Sequence, residues 1–509
     1  MNITSLQGAP VFVAGAGIMG AGIAQVAAQA GHEVRLFDMR EGAATAAKAK
    51  LAGTFDALVT KGKLSAEAAQ QTLARIRPVA ALADAAGAAL VVEAIVEQLD
   101  AKRALFAELE GIVGQGAVLA TNTSSISVTA IANGLKRPGR VVGMHFFNPV
   151  PLMKLVEVVS GLQTDCAVAE AIFELSRAWG KTPVHATSTP GFIVNRIARP
   201  YYAETLALLQ ERAATPAMLD AALRGAGFRM GPCELMDLIG HDTNFAVTNS
   251  VFEANFYDKR YQPSGVQREM VAGGLLGRKS GQGFYRYPEG APALPDTACK
   301  LTVAPGQVTI HGSGPIADAL AHAVAQTAAR YAPQHVCVIA RLRDTGWTGL
   351  EIDGARLVMS DGRTAGEIAA ETGRRDVAVF DRLFTLPPAP GTPLAFAVAD
   401  EVWRVRAAAW LTELGFVPLP VADTPGLVAA RTVAMLINEA ADAVLQGVCS
   451  EAGADAAMKL GVNYPQGPFE FLSHWSVGEV VNLLDALDHL YRGERYRVSP
   501  LLRRRALHH

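Results

Sequence analysis

A glycine turn between a strand and a helix is the feature that most constrains this fold. Residues 10–40, PVFVAGAGIMGAGIAQVAAQAGHEVRLFDMR, predict a short buried strand, a turn, a helix and a second strand. Gly15, Gly17 and Gly20 form GxGxxG where the first strand meets the helix. The first glycine permits the tight turn, the second lets the backbone approach a pyrophosphate, and the third allows close packing of helix and strand. The stretch therefore predicts a dinucleotide-binding βαβ unit.

Asp38 ends the second predicted strand, about twenty residues after the glycine turn, where a carboxylate binds the ribose hydroxyls of a dinucleotide. The same carboxylate repels a 2′-phosphate, so the sequence predicts NAD rather than NADP as the cofactor. Arg40 keeps NADP open as an alternative. We expect the cofactor to contact the turn residues Gly15, Gly17, Ile18, Met19 and Gly20.

The rest of residues 1–190 alternates helical and strand patterns, which indicates a doubly wound parallel sheet. Ligands of such sheets bind at the carboxyl ends of the strands. Two predicted strands run into polar residues there, in the segments VVEAIVE and ATNTSS. We therefore expect Glu97, Asn122 and Ser124 to lie near the nicotinamide end of the cofactor.

A histidine and a glutamate stand in the otherwise mostly apolar run VVGMHFFNPVPLMKLVEVV, residues 141–159. The run predicts two strands joined by the NPVP turn, and a hairpin about Pro151 places His145 opposite Glu157. A buried carboxylate and a buried imidazole are each costly without a partner, and facing one another they satisfy both. Such a pair is often structural. Because this one follows a dinucleotide fold, which supplies a hydride acceptor, we interpret His145 as a general base that Glu157 orients.

Six segments of the first half resemble, in order, the motifs of the L-3-hydroxyacyl-CoA dehydrogenase family. The motifs are TNTSS (121–125), GMHFFNPVPLMKLVEVVSG (143–161), GKTPV (180–184), TPGFIVNR (189–196), MGPCELMDLIG (230–240) and GRKSGQGFY (277–285). The resemblance as a whole covers residues 8–288 almost continuously. The resemblance implies an α/β Rossmann NAD-binding domain followed by an all-α C-terminal domain. It also implies NAD-dependent oxidation of a (3S)-3-hydroxyacyl-CoA to the 3-ketoacyl-CoA.

The resemblance further assigns roles to individual residues. It implies His145 as catalytic base, Glu157 as its orienting partner, and Ser124 and Asn195 as hydrogen-bonding groups at the reacting oxygen. The NAD contacts that it implies are Glu97, Lys102, Ser124, Asn148 and Lys279. Separately, Lys61 and its neighbours Lys48, Lys50 and Lys63 are candidates for the CoA phosphates, although such lysines also form ordinary solvated faces.

The second half of the chain repeats the first. Residues 422–472 match residues 188–236 with one insertion, and RYQPS (260–264) recurs as RYRVS (495–499), which predicts two all-α modules. Between them, QVTIHGSGPIADALAHAVAQ (307–326) predicts strand, GxGxxA turn and helix, a degenerate Rossmann copy.

The degenerate copy departs from the first in several ways. Its second strand runs into Arg341 rather than an acid, no TNTSS or HFFNP equivalent follows, and Ala430 stands where the first copy has Asn195. A proline-rich stretch, LPPAPGTP (386–393), falls where the first copy has its catalytic strands. We therefore expect a non-catalytic nucleotide-fold remnant and one active site per chain. The predicted domains are the NAD-binding domain (1–187), the all-α domain (188–290), the degenerate Rossmann-like domain (297–420) and the second all-α domain (421–509).

Composition narrows the class of protein. Half of the residues are hydrophobic and the net charge is −2, which gives no reason to expect nucleic acid or a membrane as a partner. Five cysteines lie far apart without a CxxC pair, which favours reduced thiols in the cytoplasm and no metal site. The second helical module either pairs with the first within one chain or leaves room for a homodimer.

Members of the family with a doubled helical region resemble enzymes acting on 3-hydroxybutyryl-CoA or 3-hydroxyadipyl-CoA, in fatty acid β-oxidation or phenylacetate breakdown. The sequence leaves the length and the terminal group of the acyl chain open. Two other functions stay open as well: a 3-hydroxyacid dehydrogenase whose substrate is not a thioester, and a non-catalytic NAD-binding, crystallin-like protein.

Overall fold

The computed structural model describes residues 6–294, 306–330 and 337–508. Contacts between residues divide the chain into two units, Met1–Arg196 with Gln446–Val462, and Ile197–Leu445 with Asn463–His509. The first unit thus combines the N-terminal part of the chain with a short segment of the second helical copy. Among the described residues, no helix combines the length and the apolar character that crossing a membrane requires.

An eight-stranded sheet forms the centre of the first unit, in the order β3-β2-β1-β4-β5-β6-β7-β8. All neighbouring strands run parallel except β6 and β7. The strands are β1 (Val11–Ala14), β2 (Val34–Phe37), β3 (Ile76–Val79), β4 (Leu90–Glu93), β5 (Val118–Thr121), β6 (Val141–Phe146), β7 (Leu155–Ser160) and β8 (Thr182–Thr187). Every residue of β1, β4 and β5 is buried, as parallel strands between two layers of helices must be.

Helices connect these strands in the right order for a doubly wound sheet. They are α1 (Ile18–Gln29), α2 (Ala43–Thr60), α3 (Ala66–Arg75), α4 (Leu99–Ile112), α5 (Val128–Ala132), α6 (Cys166–Ala178) and α7 (Val194–Ile197). The sequence missed β3, because Pro78 argues against a strand; it is tolerated here since β3 is an edge strand.

A seven-stranded sheet lies in the second unit, in the order β10-β9-β11-β12-β13-β14-β15. Its strands are β9 (Gln307–His311), β10 (Cys337–Leu342), β11 (Gly349–Ile352), β12 (Ala355–Met359), β13 (Val377–Phe380), β14 (Thr392–Val398) and β15 (Phe416–Pro420). Strand β11 runs antiparallel to β9, whereas β4 of the first sheet runs parallel to β1. The predicted degenerate Rossmann copy is confirmed, with this reversal as its main change.

Helices of both copies complete the second unit. They are α8 (Arg199–Gln210), α9 (Pro216–Gly225), α10 (Pro232–Ile239), α11 (His241–Ala254), α12 (Gly265–Ala272), α13 (Pro315–Arg330), α14 (Ala365–Thr372), α15 (Arg404–Glu413), α16 (Ala429–Leu445), α18 (Val477–Tyr491) and α19 (Pro500–Ala506), whereas α17 (Glu451–Val462) belongs to the first unit. The predicted fold class is confirmed.

Strand register corrects one detail of the sequence analysis. Phe37 pairs with Ala14, immediately before the first glycine turn, and Leu342 pairs with His311, immediately before the second. The residue in the place of Asp38 is therefore Arg343. The prediction that Arg341 takes this place was wrong, because β10 continues beyond Arg341 to Leu342.

The second copy also retains the antiparallel strand pair that the sequence analysis found missing. Glu157 lies beside Val184 on β8, and Ala395 lies beside Leu419 on β15, each partner five residues before a TPG turn. Ala395 is therefore the counterpart of Glu157. The expectation that no equivalent of the HFFNP stretch exists was wrong at the level of structure, since β13 and β14 form that pair with other residues.

Candidate active site

The glycine turn between β1 and α1 has the geometry that its spacing predicts. Gly15 has a φ of +105°, and a Cβ there would lie 2.4 Å from the Ala94 carbonyl oxygen. A Cβ on Gly20 would lie 1.8 Å from the Gly15 oxygen, whereas no atom lies within 4 Å of a Cβ on Gly17. Two glycines are thus required by packing, and the third leaves open backbone at the start of a helix. Such a helix N-terminus attracts phosphate groups.

Asp38 lies at the end of β2, beside this turn. Its carboxylate accepts a hydrogen bond from the Ala16 N–H at 2.9 Å and pairs with Arg40 at 3.0 Å. Burial opposes ionisation of Asp38, but the hydrogen bonds from Arg40 and Ala16 outweigh it and lower the pKa. The carboxylate is therefore an anionic acceptor next to the open glycine.

A cavity of about 600 Å³ extends from Gly15, Gly17 and Asp38 over apolar side chains. Its size and its combination of apolar walls with the Asp38 carboxylate suit a nucleoside. Sequence reasoning missed the apolar lining, which includes Met39, Leu82, Val96 and Leu105. The sequence did offer one signal for Met39, its place directly after the expected ribose ligand Asp38.

His145 and Glu157 face each other across β6 and β7, as the sequence predicts. The His145 Nδ1 lies 2.6 Å from a Glu157 carboxylate oxygen, and the glutamate is fully buried. With Nδ1 donating to the carboxylate, Nε2 keeps its lone pair. The rings of Phe147 and Phe192 lie 4.5 and 5.9 Å from the imidazole. The imidazole is therefore held in one tautomer and one orientation.

The other carboxylate oxygen of Glu157 accepts hydrogen bonds from the backbone N–H groups of Ile193 at 3.2 Å and Val194 at 2.9 Å. Glu157 thus links the histidine to the start of α7, which carries Asn195. Sequence reasoning assigned Glu157 to the histidine alone, because no local pattern reveals contacts to a backbone turn 36 residues away.

A buried ion pair supports the loop that carries Ser124. The Lys102 ammonium lies 2.6 Å from Glu93 and 3.1 Å from Glu97, and only 1% of its side chain is exposed. Glu97 accepts hydrogen bonds from the Thr123 hydroxyl and the Ser124 N–H. Burial opposes its ionisation, but the Lys102 charge and these hydrogen bonds lower its pKa. Lys102 therefore holds Glu97, and Glu97 holds the Ser124 loop; Glu93 was missed from the sequence.

The remaining predicted site residues lie in different surroundings. Asn122 accepts a hydrogen bond from the Phe146 N–H at 2.9 Å, which ties β5 to the histidine strand, and the Asn195 amide lies 3.4 Å from the Ser124 carbonyl oxygen. Asn148 and Lys61 are exposed. Lys279 belongs to the second unit, where it pairs with Asp242.

Comparison with known proteins identifies the family. The model of the 3-hydroxyacyl-CoA dehydrogenase NAD-binding domain matches residues 10–189, and that of the C-terminal domain matches residues 191–287 and again 426–509. The chain belongs to the 3-hydroxyacyl-CoA dehydrogenase family. A model described as the 3-hydroxybutyryl-CoA dehydrogenase reduced Rossmann-fold domain matches residues 357–425. The chain is therefore an oxidoreductase that uses NAD and acts on a 3-hydroxyacyl-CoA.

Relatives resemble the chain over its whole length or its first half. The 3-hydroxyadipyl-CoA dehydrogenase of Escherichia coli K12 is 45% identical over 98% of this chain and 97% of its own. Human mitochondrial hydroxyacyl-coenzyme A dehydrogenase is 41% identical over 54% of this chain and 90% of its own. A crystal structure titled 3-hydroxybutyryl-CoA dehydrogenase, from Escherichia coli K12, has a TM-score of 0.86 at 44% identity and covers 98% of both chains.

In this family member, a segment of the second helical copy packs behind the histidine–glutamate pair. The Thr187 N–H donates to the Val448 carbonyl oxygen at 2.9 Å, and Arg196 donates to Gln446. Burial, together with the charge of Glu157, raises the pKa of the nearby Cys449 thiol to about 12. Helix α17 of the same segment packs against β7 and β8.

The described parts of the chain contain no group of three or more histidine, cysteine, aspartate or glutamate side chains able to hold a metal ion.

Proposed function

We propose that His145 takes the hydroxyl proton of a (3S)-3-hydroxyacyl-CoA, with the carboxylate of Glu157 stabilising the imidazolium that forms. The observation that carries this proposal is the 2.6 Å contact between Nδ1 and the buried carboxylate, which leaves Nε2 free to accept a proton. Bound NAD supplies the acceptor for the hydride that leaves C3 of the substrate.

Ser124 and Asn195 complete the reaction site in this proposal. Their side chains hydrogen-bond the C3 oxygen and steady it as its bonding changes. The Lys102–Glu97 pair supports this role, because it fixes the loop from which Ser124 projects. Asn122, Asn148, Glu97, Lys102 and Lys279 stay predicted NAD contacts, and Lys61 a predicted CoA contact.

The residues present fit NAD in the first unit. The open backbone at Gly17 and the uncapped start of α1 suit a pyrophosphate. The Asp38 carboxylate suits a ribose diol, and the apolar cavity beside it suits an adenine.

The test is the His145→Gln variant, assayed with acetoacetyl-CoA and NADH. We expect kcat to fall by about 10²- to 10⁴-fold, the usual contribution of a general base, while NADH binding followed by fluorescence stays unchanged. His185→Gln, an exposed histidine of the same unit, is the matched control. Near-normal turnover of the His145 variant would show that another group takes the proton.

For the acyl group, we propose 3-hydroxyadipyl-CoA, which would place the enzyme in the breakdown of aromatic acids such as phenylacetate. The supporting observation is the similarity to 3-hydroxyadipyl-CoA dehydrogenase over the whole chain, including the second half. 3-Hydroxybutyryl-CoA is the second candidate, because the similar crystal structure carries that name. We expect kcat/KM to be higher for 3-ketoadipyl-CoA than for acetoacetyl-CoA; the reverse order would favour the shorter substrate and fatty acid β-oxidation.

We further propose four domains at 1–187, 188–290, 297–420 and 421–509, with the two helical domains paired within the chain in place of a homodimer. Support comes from the packing of α8 against α16 within the second unit. The free thiols Cys166, Cys233 and Cys449 support a reducing, cytoplasmic location. Nucleic acid and membrane have no place in the proposed function.

A further inference from the structure

A second cavity, of about 650 Å³, lies in the degenerate Rossmann copy, wholly within the second unit. It opens where β9 and β12 end, between the sheet and α18. Gly312 and Ser313 of the second glycine turn form one side of it, and Ser360 and Asp361 form another. Its size suits a ligand as large as a mononucleotide.

This cavity is the counterpart of the reaction site of the first unit. Thr121 pairs with Gly143, two residues before His145, and Val358 pairs with Val379, two residues before Asp381. Counting on from Thr121 and Val358, Ser360 and Asp361 therefore take the places of Thr123 and Ser124. The cavity lies at the carboxyl edge of the sheet, where ligands of doubly wound folds bind.

The cavity has retained the phosphate-binding features of a Rossmann fold and lost those that bind a ribose diol. Gly314 has a φ of +85°, and nothing lies within 4 Å of a Cβ there, so the turn is as open as at Gly17. The 16-residue helix α13 begins directly after it. Arg343 stands where the first copy has Asp38, which replaces the acceptor of a ribose diol with a cation.

Positive charge is in excess around the cavity. Three arginines line it, Arg343, Arg363 and Arg382, against two carboxylates, Asp361 and Glu479. Arg363 pairs with Asp361, and Arg382 pairs with Glu479. Arg343 is exposed and makes no ion pair with any residue that the structure describes. An anion with two negative charges would balance Arg343 and the positive end of α13.

An unpartnered hydroxyl in the cavity wall also points to a ligand. Ser360 is 2% exposed, and its hydroxyl has no hydrogen-bond partner among the described residues. Burying a hydroxyl without a partner is energetically costly, so proteins rarely leave one unsatisfied. A ligand oxygen would satisfy it.

We propose that this cavity binds a phosphorylated ligand of mononucleotide size, held by Arg343, the Ser360 hydroxyl and the N-terminus of α13. The degenerate copy is then non-catalytic and ligand-binding. Two sources share this chemistry: a free adenine nucleotide, and the phosphorylated adenosine head of coenzyme A. NAD itself is disfavoured, because Arg343 cannot accept the ribose hydroxyls.

The test uses the full chain with its first site saturated by NADH. Isothermal titration calorimetry with ADP and, separately, with adenosine 3′,5′-bisphosphate should show a binding event that Arg343→Glu weakens by about tenfold or more, the effect of losing one charge-assisted hydrogen bond. Arg375→Glu, an exposed arginine of the same domain, is the matched control and should leave the affinity unchanged. Both variants should retain wild-type turnover of acetoacetyl-CoA, which verifies folding and the first site.

Ser360→Ala is a second variant, chosen because removing an unpartnered hydroxyl cannot unfold the protein by breaking a bond. We expect it to weaken binding severalfold while thermal stability without ligand stays equal or rises. Tighter binding of ADP identifies a free nucleotide, and tighter binding of the bisphosphate identifies coenzyme A; either supports the proposal. No binding of either probe, or an equal loss in the Arg343 and Arg375 variants, overturns it.

Discussion

At the scale of single residues, the antiparallel strand pair of each sheet places its carboxylate differently. Opposite Glu157 stands His145, and opposite its counterpart Ala395 stands Asp381. Asp381 accepts hydrogen bonds from the N–H groups of residues 428–430, the same turn that Glu157 reaches in the first copy. The second copy therefore keeps the carboxylate that caps the helix but moves it to the opposite strand. Asp381 thus stands in the place that His145 has in the first copy.

Glu157→Gln separates the two tasks of this carboxylate. The glutamine oxygen can still accept from the Ile193 and Val194 N–H groups, so the fold should persist, but the amide no longer stabilises a positive imidazolium. We expect a smaller fall in kcat than for His145→Gln, together with a changed pH–rate profile, because the charge next to the histidine is removed.

The control for that experiment is Glu170→Gln, an exposed glutamate on α6. An unchanged pH–rate profile in the Glu157 variant would contradict the role of Glu157 as the partner of His145.

At the scale of elements, the second helix of each helical copy packs against the sheet of the other copy. A Cβ on Gly225, at the end of α9, would lie 2.3 Å from the Pro393 carbonyl oxygen on β14. A Cβ on its counterpart Gly461, at the end of α17, would lie 2.7 Å from Leu155 on β7 and 3.0 Å from Val194 on α7. The exchange explains why a segment of the second copy lies in the first unit.

Gly461→Ala tests whether α17 positions the catalytic strand. The added methyl group must displace the side chain of Leu155 on β7, the strand that carries Glu157, or that of Val194 at the start of α7. We expect a loss of about 1–3 kcal/mol in unfolding free energy, typical of overpacking, together with a lower kcat. Gly53→Ala is the control. Gly53 lies on helix α2, and no atom lies within 4 Å of a Cβ built on it, so this change should be neutral or stabilising. Unchanged stability and turnover of the Gly461 variant would show that α17 is a passive cover.

The aspartate that caps α16 predicts a pH dependence of stability. Burial raises the pKa of Asp381 from its ordinary value of 3.8 to about 6. The backbone hydrogen bonds that Asp381 accepts act in the opposite direction but are outweighed. Because the folded pKa is raised, the stabilisation from its proton is complete below pH 3.8 and is lost as the pH rises through about 6. The difference corresponds to a contribution on the order of 3 kcal/mol.

Asp381→Asn should remove this component. The folded and unfolded pKa values set a window of about pH 4–7 for this effect. In denaturant unfolding across that window, the stability of the variant should decline less steeply with pH than that of the wild type. Asp56→Asn, an exposed aspartate on α2, should leave the wild-type slope intact. Equal slopes in wild type and the Asp381 variant would mean that the carboxyl is ionised throughout.

At the scale of the whole molecule, the two helical copies exchange equivalent contacts within the second unit. Glu204 binds Arg495 and the Tyr496 hydroxyl of the second copy. Its counterpart Glu439 binds Arg260 and the Tyr261 hydroxyl of the first, the residues that RYRVS and RYQPS repeat. Each contact is made twice with the copies reversed, as in the interface of a two-fold symmetric dimer. The two helical copies are thus related by an approximate two-fold arrangement of equivalent contacts within the second unit.

Glu204→Gln and Glu439→Gln measure the two halves of this interface. Removing one partner from a buried ion pair costs about 3–5 kcal/mol, because the guanidinium left behind is uncompensated. We expect the larger loss for Glu204→Gln, because Glu204 pairs with two arginines, Arg431 and Arg495. Arg431 then keeps Glu211 at 3.6 Å, whereas Arg260 in the other variant keeps Asp442 at 2.6 Å.

Urea unfolding of both variants provides the measurement, with the exposed Glu253→Gln on α11 as control. Equal and small losses of unfolding free energy in the two variants would mean that the buried ion pairs add little stability over hydration of the same charges in the unfolded chain.

Local patterns in the sequence predicted much of this protein. The glycine spacing and Asp38 predicted the cofactor turn, because a strand, a tight turn and a helix are specified by neighbouring residues. The hairpin placed His145 opposite Glu157, because a turn determines the register of the strands that it joins. The internal repeat predicted two helical domains, because equivalent sequences adopt equivalent folds.

Tertiary structure decided what depends on residues far apart in the chain. It alone showed that Glu157 caps α7, that Lys102 is buried between Glu93 and Glu97, and that α17 of the second copy packs behind the catalytic strand. It also placed Arg343 where Asp38 stands in the first copy. The amino-acid sequence determined the elements and their reactive groups, since these follow from local periodicity and turns; only the packing of distant segments, which no local pattern encodes, decided which groups support one another.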